Sequence, residues 1–418
     1  MGGLACVSIA GCDVSLDLLE AVSYGHDELA QRLPALRATS AASGVVVLST
    51  CQRTEVYATW PGQPAADALV AAVARDCGVP EPPVRAVART LHGDAAARHL
   101  LRVTSGLESF ALGESEIAGQ VRAATEASRA VGACDVVLER LMDAAVSASR
   151  KTRRRTSIAA ATRSVATVAV DTIVRSRGRA IAGQQLLVVG AGQVAEVVVD
   201  RATAAGAKVT VCNRTRRRAA RFAAAGARVV DLADLPACLA TCDIAILATA
   251  APHPLVNARI LRAARPVGAG PLMLADLSLP RNVDPDVRPL PSVQLIDLAD
   301  LRDATAVEAQ DFTTDMAATE EIIEGELRRY LRWVAGRSAA AALRQVHRSA
   351  ESIAREEIAR ATGGAPSEVR DVVERALLRT VHRLAHGPTR RLLTAAEAGD
   401  TDLVNLLGGL FDPTAAAR

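Results

Sequence analysis

The sequence predicts an α/β protein of several domains: an α+β section, then a section built on a parallel sheet, then an all-α section introduced by one long helix. Three observations carry this. Strand-like runs alternate with short helical stretches between residues 164 and 278. Before residue 155, glycine-broken helical stretches surround an isolated β-branched run. From Asp297 onward the strands stop and apolar residues recur at helical spacing. A chain of 418 residues has room for about two to four domains and can bury sizeable cores. We place the borders at 1–155, 156–303 and 304–418.

Composition narrows the function classes. Charged residues are 23% and hydrophobic residues 50%, a globular balance. No apolar run reaches the ~18 residues that span a bilayer. The start, Met1–Cys6, lacks the basic and apolar regions of a secretory leader, so a cytoplasmic location is expected. Eight cysteines without a CxxC pair argue against a disulfide framework and against a zinc site, and no metal is expected. Net charge is +3, so a polyanion would have to meet a local arginine surface. Lysine occurs only at positions 151 and 208, which excludes mechanisms needing an earlier lysine.

In the first section, Gly44–Thr50 is a β-branched run ending in small polar residues, so it reads as a buried strand entering a loop. Asp94–Arg129 has no proline and is broken at Gly106, Gly113 and Gly119, which predicts helix, loop and helix. The run Arg150–Arg155 is either a solvated helix end or a contact to phosphates. In the second section, Ser164–Val174, Gln193–Ala204 and Arg216–Ala225 are predicted helices. Gln185–Gly190, Lys208–Cys212, Arg228–Val230, Asp243–Thr249 and Leu272–Ser278 are predicted strands.

In the third section, Phe312, Met316, Ile323, Leu327, Leu331 and Val334 share one helical face within a helix from about Ala306 to Ala361. Roughly 50 residues would make it ~75 Å long, so it must link domains or pair with another chain. Ser367–Leu410 reads as shorter helices carrying apolar Val372, Val373, Leu377, Leu378, Val381 and Leu384. A segment that small is a poor independent core, so pairing across a two-fold axis, a homodimer, is expected.

Three constellations could carry chemistry. Gly190, Ala191, Gly192, Gln193, Val194 and Ala195 form GxGxxA between a strand and a helix, a Rossmann-type dinucleotide turn. The next strand ends without an acid, at Asn213, Arg214 and Thr215. Arg214 can pair with a 2′-phosphate, which favours NADPH over NADH. Next, Ser49–Tyr57 holds Thr50, Cys51, Gln52 and Arg53. A cysteine just past a strand is either a small core residue or an exposed thiol beside Arg53. Last, His99 precedes Gly106–Gln120, whose glycines and carboxylates suggest a loop shaped around a ligand.

Together these segments resemble the glutamyl-tRNA reductase family. Ser49–Glu55 matches its Ser-Thr-Cys-Asn-Arg-Thr-Glu, and Gly106–Gln120 its Gly-Leu-Asp-Ser segment. Gly190–Thr215 matches its NADPH site, Asp276–Pro285 a post-strand loop, and His386–Arg390 its His-x-Pro-Thr-Arg. The resemblance implies an N-terminal catalytic domain, an NADPH domain, and a dimerisation domain along a spinal helix, assembled as a V-shaped homodimer. It implies reduction of glutamyl-tRNA(Glu) to glutamate-1-semialdehyde, the first step of the five-carbon route to tetrapyrroles. Cys51 would be the nucleophile and His99 a proton donor or polarising group. Thr50, Gln52, Arg53, Ser109, Glu114, Ser115, Glu116 and Gln120 would surround the glutamate, with Arg53 on its side-chain carboxylate. Glutamate-1-semialdehyde aminomutase is the expected recipient of the product. The sequence departs from the family at Gln52, at Ser115 and Glu116, and at Ala10–Ser15. The competing readings are a shikimate- or quinate-dehydrogenase-like enzyme, opposed by the missing N-terminal lysine, and a non-catalytic tRNA- or partner-binding paralogue.

Overall fold

A computed structural model of the chain describes residues 3–11, 14–108, 116–156, 165–177, 181–265, 268, 270–305, 313–363 and 366–398. The first domain is built on the antiparallel strands β1 (Leu4–Ala10), β2 (Gly44–Ser49), β3 (Arg53–Thr59) and β4 (Arg89–His92), in the order β2-β3-β1-β4. Alternation divides each strand between two cores. Ala5, Val7, Ile9, Val45 and Val47 pack under helices α1 (Leu16–Ala21), α2 (His26–Thr39), α3 (Ala66–Asp76) and α4 (Glu81–Val87). Leu4, Cys6, Val46, Leu48 and Tyr57 pack under α5 (Gly93–Thr104), α6 (Ile117–Ala130) and α7 (Val136–Arg155). Asp135 caps α7, its carboxylate accepting from the Val137 and Leu138 amides at 3.0 and 2.8 Å.

The second domain is a parallel sheet of β5 (Gln185–Val189), β6 (Lys208–Asn213), β7 (Arg228–Asp231), β8 (Ile244–Leu247), β9 (Leu272–Asp276) and β10 (Val293–Ile296). Its order, β10-β9-β8-β5-β6-β7, is the doubly wound arrangement with the switch point between β5 and β8. Helices α8 (Val165–Arg177), α9 (Gln193–Ala204), α10 (Arg216–Ala219), α11 (Leu235–Thr241), α12 (Ala258–Ala264) and α13 (Leu298–Thr305) complete it. Its strands bury both faces, Val188 and Ile246 on one and Leu187 and Leu247 on the other, which is why they read as unbroken apolar runs. The helix expected over Arg216–Ala225 is a single α-turn continued as a 3₁₀ turn, Ala220–Ala223. The short edge strand β10 went unread, because Val-Gln-Leu-Ile carries too few residues to show a period.

Helix α14 (Thr313–Ala361) runs 49 residues, ~73 Å at 1.5 Å per residue. Of the two expected roles of this helix, linking domains or pairing with another chain, its apolar stripe serves the first. Ile323, Leu327 and Val334 are buried, with Met316 and Leu331 packed alongside, in the chain's own first domain against α5 and α7. Phe312 and the expected start at Ala306 lie outside the described residues. Ion pairs flank that seam: Arg98 to Glu324 at 2.6 Å, Arg102 to Glu320, and Lys151 to Glu326. A correction concerns the C-terminal segment. Its described part is one helix, α15 (Ser367–Ala398), folded back on α14 through Ala335, Ala339, Leu392, Ala395 and Ala396, rather than several shorter ones. Along it, Val369, Val372, Leu384 and Leu393 are exposed. Among the described residues, no helix is long and apolar enough to cross a membrane.

Candidate active site

The glycine turn sits at the switch point of the parallel sheet, where open α/β sheets bind ligands. Gly190 has φ +123°, and a Cβ there would meet the Ala248 carbonyl oxygen at 2.2 Å, so only glycine fits. A Cβ on Gly192 would instead project into open space, the room a pyrophosphate needs against the backbone. Gly192 is also the N-cap of α9 and offers no side chain to the first-turn amides, which stay available to an anion. Ala195 is fully buried between helix and sheet. Arg214 and Thr215 are exposed just past β6, and Asn213 Nδ2 donates to the Thr215 carbonyl at 2.9 Å. The residues present therefore fit a dinucleotide. Arg221 also belongs here, although the motif does not reveal it. Its guanidinium donates to the Ala191 carbonyl at 3.1 Å and pairs with Glu196 at 3.0 Å.

Cys51 lies at the tip of the β2–β3 hairpin. The Thr50 amide donates to the Arg53 carbonyl at 2.8 Å, and the Gln52 amide donates to Thr50 Oγ1 at 3.2 Å, which fixes the turn. The Cys51 side chain is half-buried and packs against the apolar cluster of the nucleotide domain, whose partly buried members include Ala191 and Val194. The hairpin thus carries its thiol to the face shared by the two domains. Arg281, after β9, ties that face together through ion pairs to Asp17 and, at 2.7 Å, to Glu20. The Asp276 carboxylate shapes the loop by accepting from the Ser278, Asn282 and Val283 amides, while burial pushes its pKa up to about 6.

Behind the hairpin stands a buried polar hub that sequence reading missed. Arg53, Glu55 and Tyr57 alternate onto one face of β3. Glu55 Oε1 accepts from Arg53 at 3.0 Å, Ser8 Oγ at 2.9 Å and His99 Nε2 at 2.8 Å, and Oε2 accepts from Tyr57 at 2.6 Å. Burial alone would raise the Glu55 pKa, but Arg53, His99 and Tyr57 hold the carboxyl well below the usual range. An ionised Glu55 makes Nε2 the protonated nitrogen of His99. His99 is 7% exposed and Arg53 4%. Arg53, expected to clamp a substrate carboxylate, is thus already paired to Glu55, and it also donates to the Glu108 carbonyl. Cys6, Glu55 and His99 place ligand atoms within 4.8 Å of one another, but the Arg53 guanidinium beside Glu55 opposes a cation there. The available signal was a charged pair at period two inside an otherwise buried strand.

Of the other expected glutamate contacts, Ser109, Glu114 and Ser115 lie outside the described residues. Glu116 precedes α6, half-buried, with its carboxyl pKa pushed up by burial, and Gln120 follows one turn later.

By class, this is an oxidoreductase: a doubly wound dinucleotide domain that abuts a cysteine-bearing α+β domain, the latter packed on a long helix. Residues 7–156 match the family model of the glutamyl-tRNAGlu reductase N-terminal domain, and 318–413 that of the glutamyl-tRNAGlu reductase dimerisation domain. Residues 172–304 match the shikimate / quinate 5-dehydrogenase model, a likeness confined to the nucleotide domain. Glutamyl-tRNA reductase 2 of Nocardioides sp. is 44% identical over 426 residues, covering 99% of this chain and 94% of the relative. The glutamyl-tRNA reductase of Salinispora arenicola is 36% identical, over 94% and 88%. The solved glutamyl-tRNA reductase from Methanopyrus kandleri superposes with a TM-score of 0.52 at 28% identity, over 95% and 99%. The chain belongs to the glutamyl-tRNA reductase family.

Proposed function

We propose that this chain catalyses NADPH-dependent reduction of glutamyl-tRNA(Glu) to glutamate-1-semialdehyde, with the units 1–155, 156–303 and 304–418 acting as catalytic, cofactor and dimerisation domains. The observation that carries the reading is Cys51, held at a hairpin tip against the domain that bears the glycine turn. An aminoacyl ester is a poor hydride acceptor because its alkoxy oxygen donates into the carbonyl, and a thioester is a better one. The Cys51 thiolate attacks the glutamyl carbonyl carbon. The carbon–oxygen bond to the tRNA ribose breaks, and the ribose oxygen leaves with a proton taken from solvent. A reduced nicotinamide dinucleotide, held by Gly190–Ala195 with Arg214 and Thr215 at its 2′-phosphate, supplies the hydride when bound. The carbon–sulfur bond then breaks, and the aldehyde departs as Cys51 returns to thiolate. Thr50, Gln52, Ser109, Glu114, Ser115, Glu116 and Gln120 surround the glutamate. Arg53, already paired to Glu55, supports the glutamate site from within the hub, and His99 orients the site through the same carboxylate.

The reading extends to a homodimer through the exposed apolar face of α15, to the cytoplasm, and to transfer of the reactive aldehyde to glutamate-1-semialdehyde aminomutase. The direct test is purified full-length chain with glutamyl-tRNA(Glu) and NADPH, with the aldehyde trapped and quantified. Aldehyde formed in proportion to NADPH consumed is expected. Bound tRNA with no aldehyde would favour the non-catalytic paralogue instead.

A further inference from the structure

The basic run at the end of α7 divides into two faces. Lys151 reaches Glu326 on α14, and Thr152 is buried, so these two belong to the structural seam. Arg150, Arg153 and Arg154 turn the other way, into a cleft of about 440 Å³ that Arg122 of α6 also lines. The far wall is Gln193, the first residue of α9 after the glycine turn, and the cleft extends to Glu116. It therefore lies between the cofactor turn and the start of the proposed glutamate-binding set.

Two features of this cleft suit an anion. Among the described residues, none of its arginines has an ion pair, whereas Arg53, Arg102, Arg281 and Arg288 are each tied to carboxylates. Its one lining carboxyl, Glu116, is half-buried, and that burial disfavours its charged form. Basic residues at a helix C-terminus complement the helix dipole, but that effect ends with the last turn and does not reach Arg122 on another helix. With a net charge of only +3 on the whole chain, four arginines in one cleft are a local concentration of positive charge.

We propose that this cleft binds consecutive phosphodiester groups of the substrate's RNA strand, and so leads its acylated end toward Cys51. The inference rests on the function proposed above. Guanidinium groups suit phosphate oxygens because they donate two parallel hydrogen bonds. Arg150 to Arg154 covers ~6 Å along the helix axis, and Arg122 extends the row from a second helix. That layout suits a strand of spaced charges better than one diphosphate, for which the glycine turn already provides. Contacts of this kind position a nucleic acid without reading its sequence.

The test uses the full-length protein and unacylated tRNA(Glu), with affinity measured between about 50 and 200 mM salt. In a double variant, Arg153→Gln with Arg154→Gln, affinity should fall about tenfold at the low-salt end. The slope of log affinity against log salt should flatten by roughly 1.4 to 1.8. The double Arg→Lys variant at the same positions keeps the charge and should keep the slope. NADPH affinity should be unchanged in both. Unchanged tRNA affinity and slope in the glutamine variant would overturn the inference. So would a loss of NADPH affinity in place of tRNA affinity, which would make the cleft part of the cofactor site. Because the probe carries no glutamate, a protein that binds it through these arginines yet reduces nothing would sink the proposed activity and leave this inference standing.

Discussion

Glu55 concentrates the physics of the first domain, since it is fully buried and holds Arg53, Ser8, Tyr57 and His99 at once. Replacing it with Gln keeps the shape but leaves the Arg53 charge buried without a counter-ion, which should cost ~3–5 kcal/mol in urea unfolding. The pH dependence has a definite sign. The folded-state pKa of Glu55 is depressed, so its contribution is complete above the ordinary carboxylate range and is withdrawn as pH falls toward the folded value. The wild type should therefore lose stability below about pH 4.5 more steeply than Glu55→Gln does. At the other site, Arg214→Asp should remove the proposed 2′-phosphate partner and add repulsion, lowering NADPH affinity about tenfold or more while NADH affinity holds. An unchanged ratio would place the phosphate elsewhere. At this scale the motif residues were legible because their chemistry is local. The hub was not, because Ser8 and His99 meet Glu55 only through strand register and helix docking, from 47 and 44 residues away.

Elements were legible where period and punctuation agreed. Gln193–Ala204 coincides with α9 because a glycine turn opens it and an apolar stripe runs its length. The α14 stripe was legible as a helix face but not as to what covers it, since periodicity names a buried face and not its partner. Leu327→Ala makes the distinction measurable. Leu327 is 1% exposed within the first domain's core, so the change should cost ~2–5 kcal/mol of unfolding free energy without altering oligomeric state. A shift to monomer with intact stability would instead mean that this face pairs two chains. Gly190→Ala should be disabling for a different reason. The added Cβ collides with the Ala248 carbonyl at the switch point, and φ +123° is strained for alanine, so dinucleotide affinity should fall sharply. Gly192→Ala has room in the free protein and should lower affinity while leaving thermal stability near wild type.

For the whole molecule, the long helix divides its work along its length. Up to Val334 it completes the first domain's core, and beyond that it pairs with α15 to form a hairpin with exposed apolar residues, Leu384 at 74%. Ending the chain after Arg337 should therefore leave both globular domains folded and able to bind NADPH, while sedimentation shows a monomer where the full chain sediments as a dimer. The β2–β3 hairpin sets the thiol against the domain that bears the glycine turn, the arrangement the proposed two-stage reduction needs. The most direct test is a single turnover in which the stages are separated. Full-length protein is mixed with glutamyl-tRNA(Glu) without dinucleotide, its peptides are mapped by mass spectrometry, and NADPH is then added. One glutamyl adduct is expected, on Cys51 and absent from Cys51→Ser, that NADPH discharges as the aldehyde. Reductase activity that survives in Cys51→Ser, or an adduct that NADPH leaves in place, would contradict the two-stage reduction.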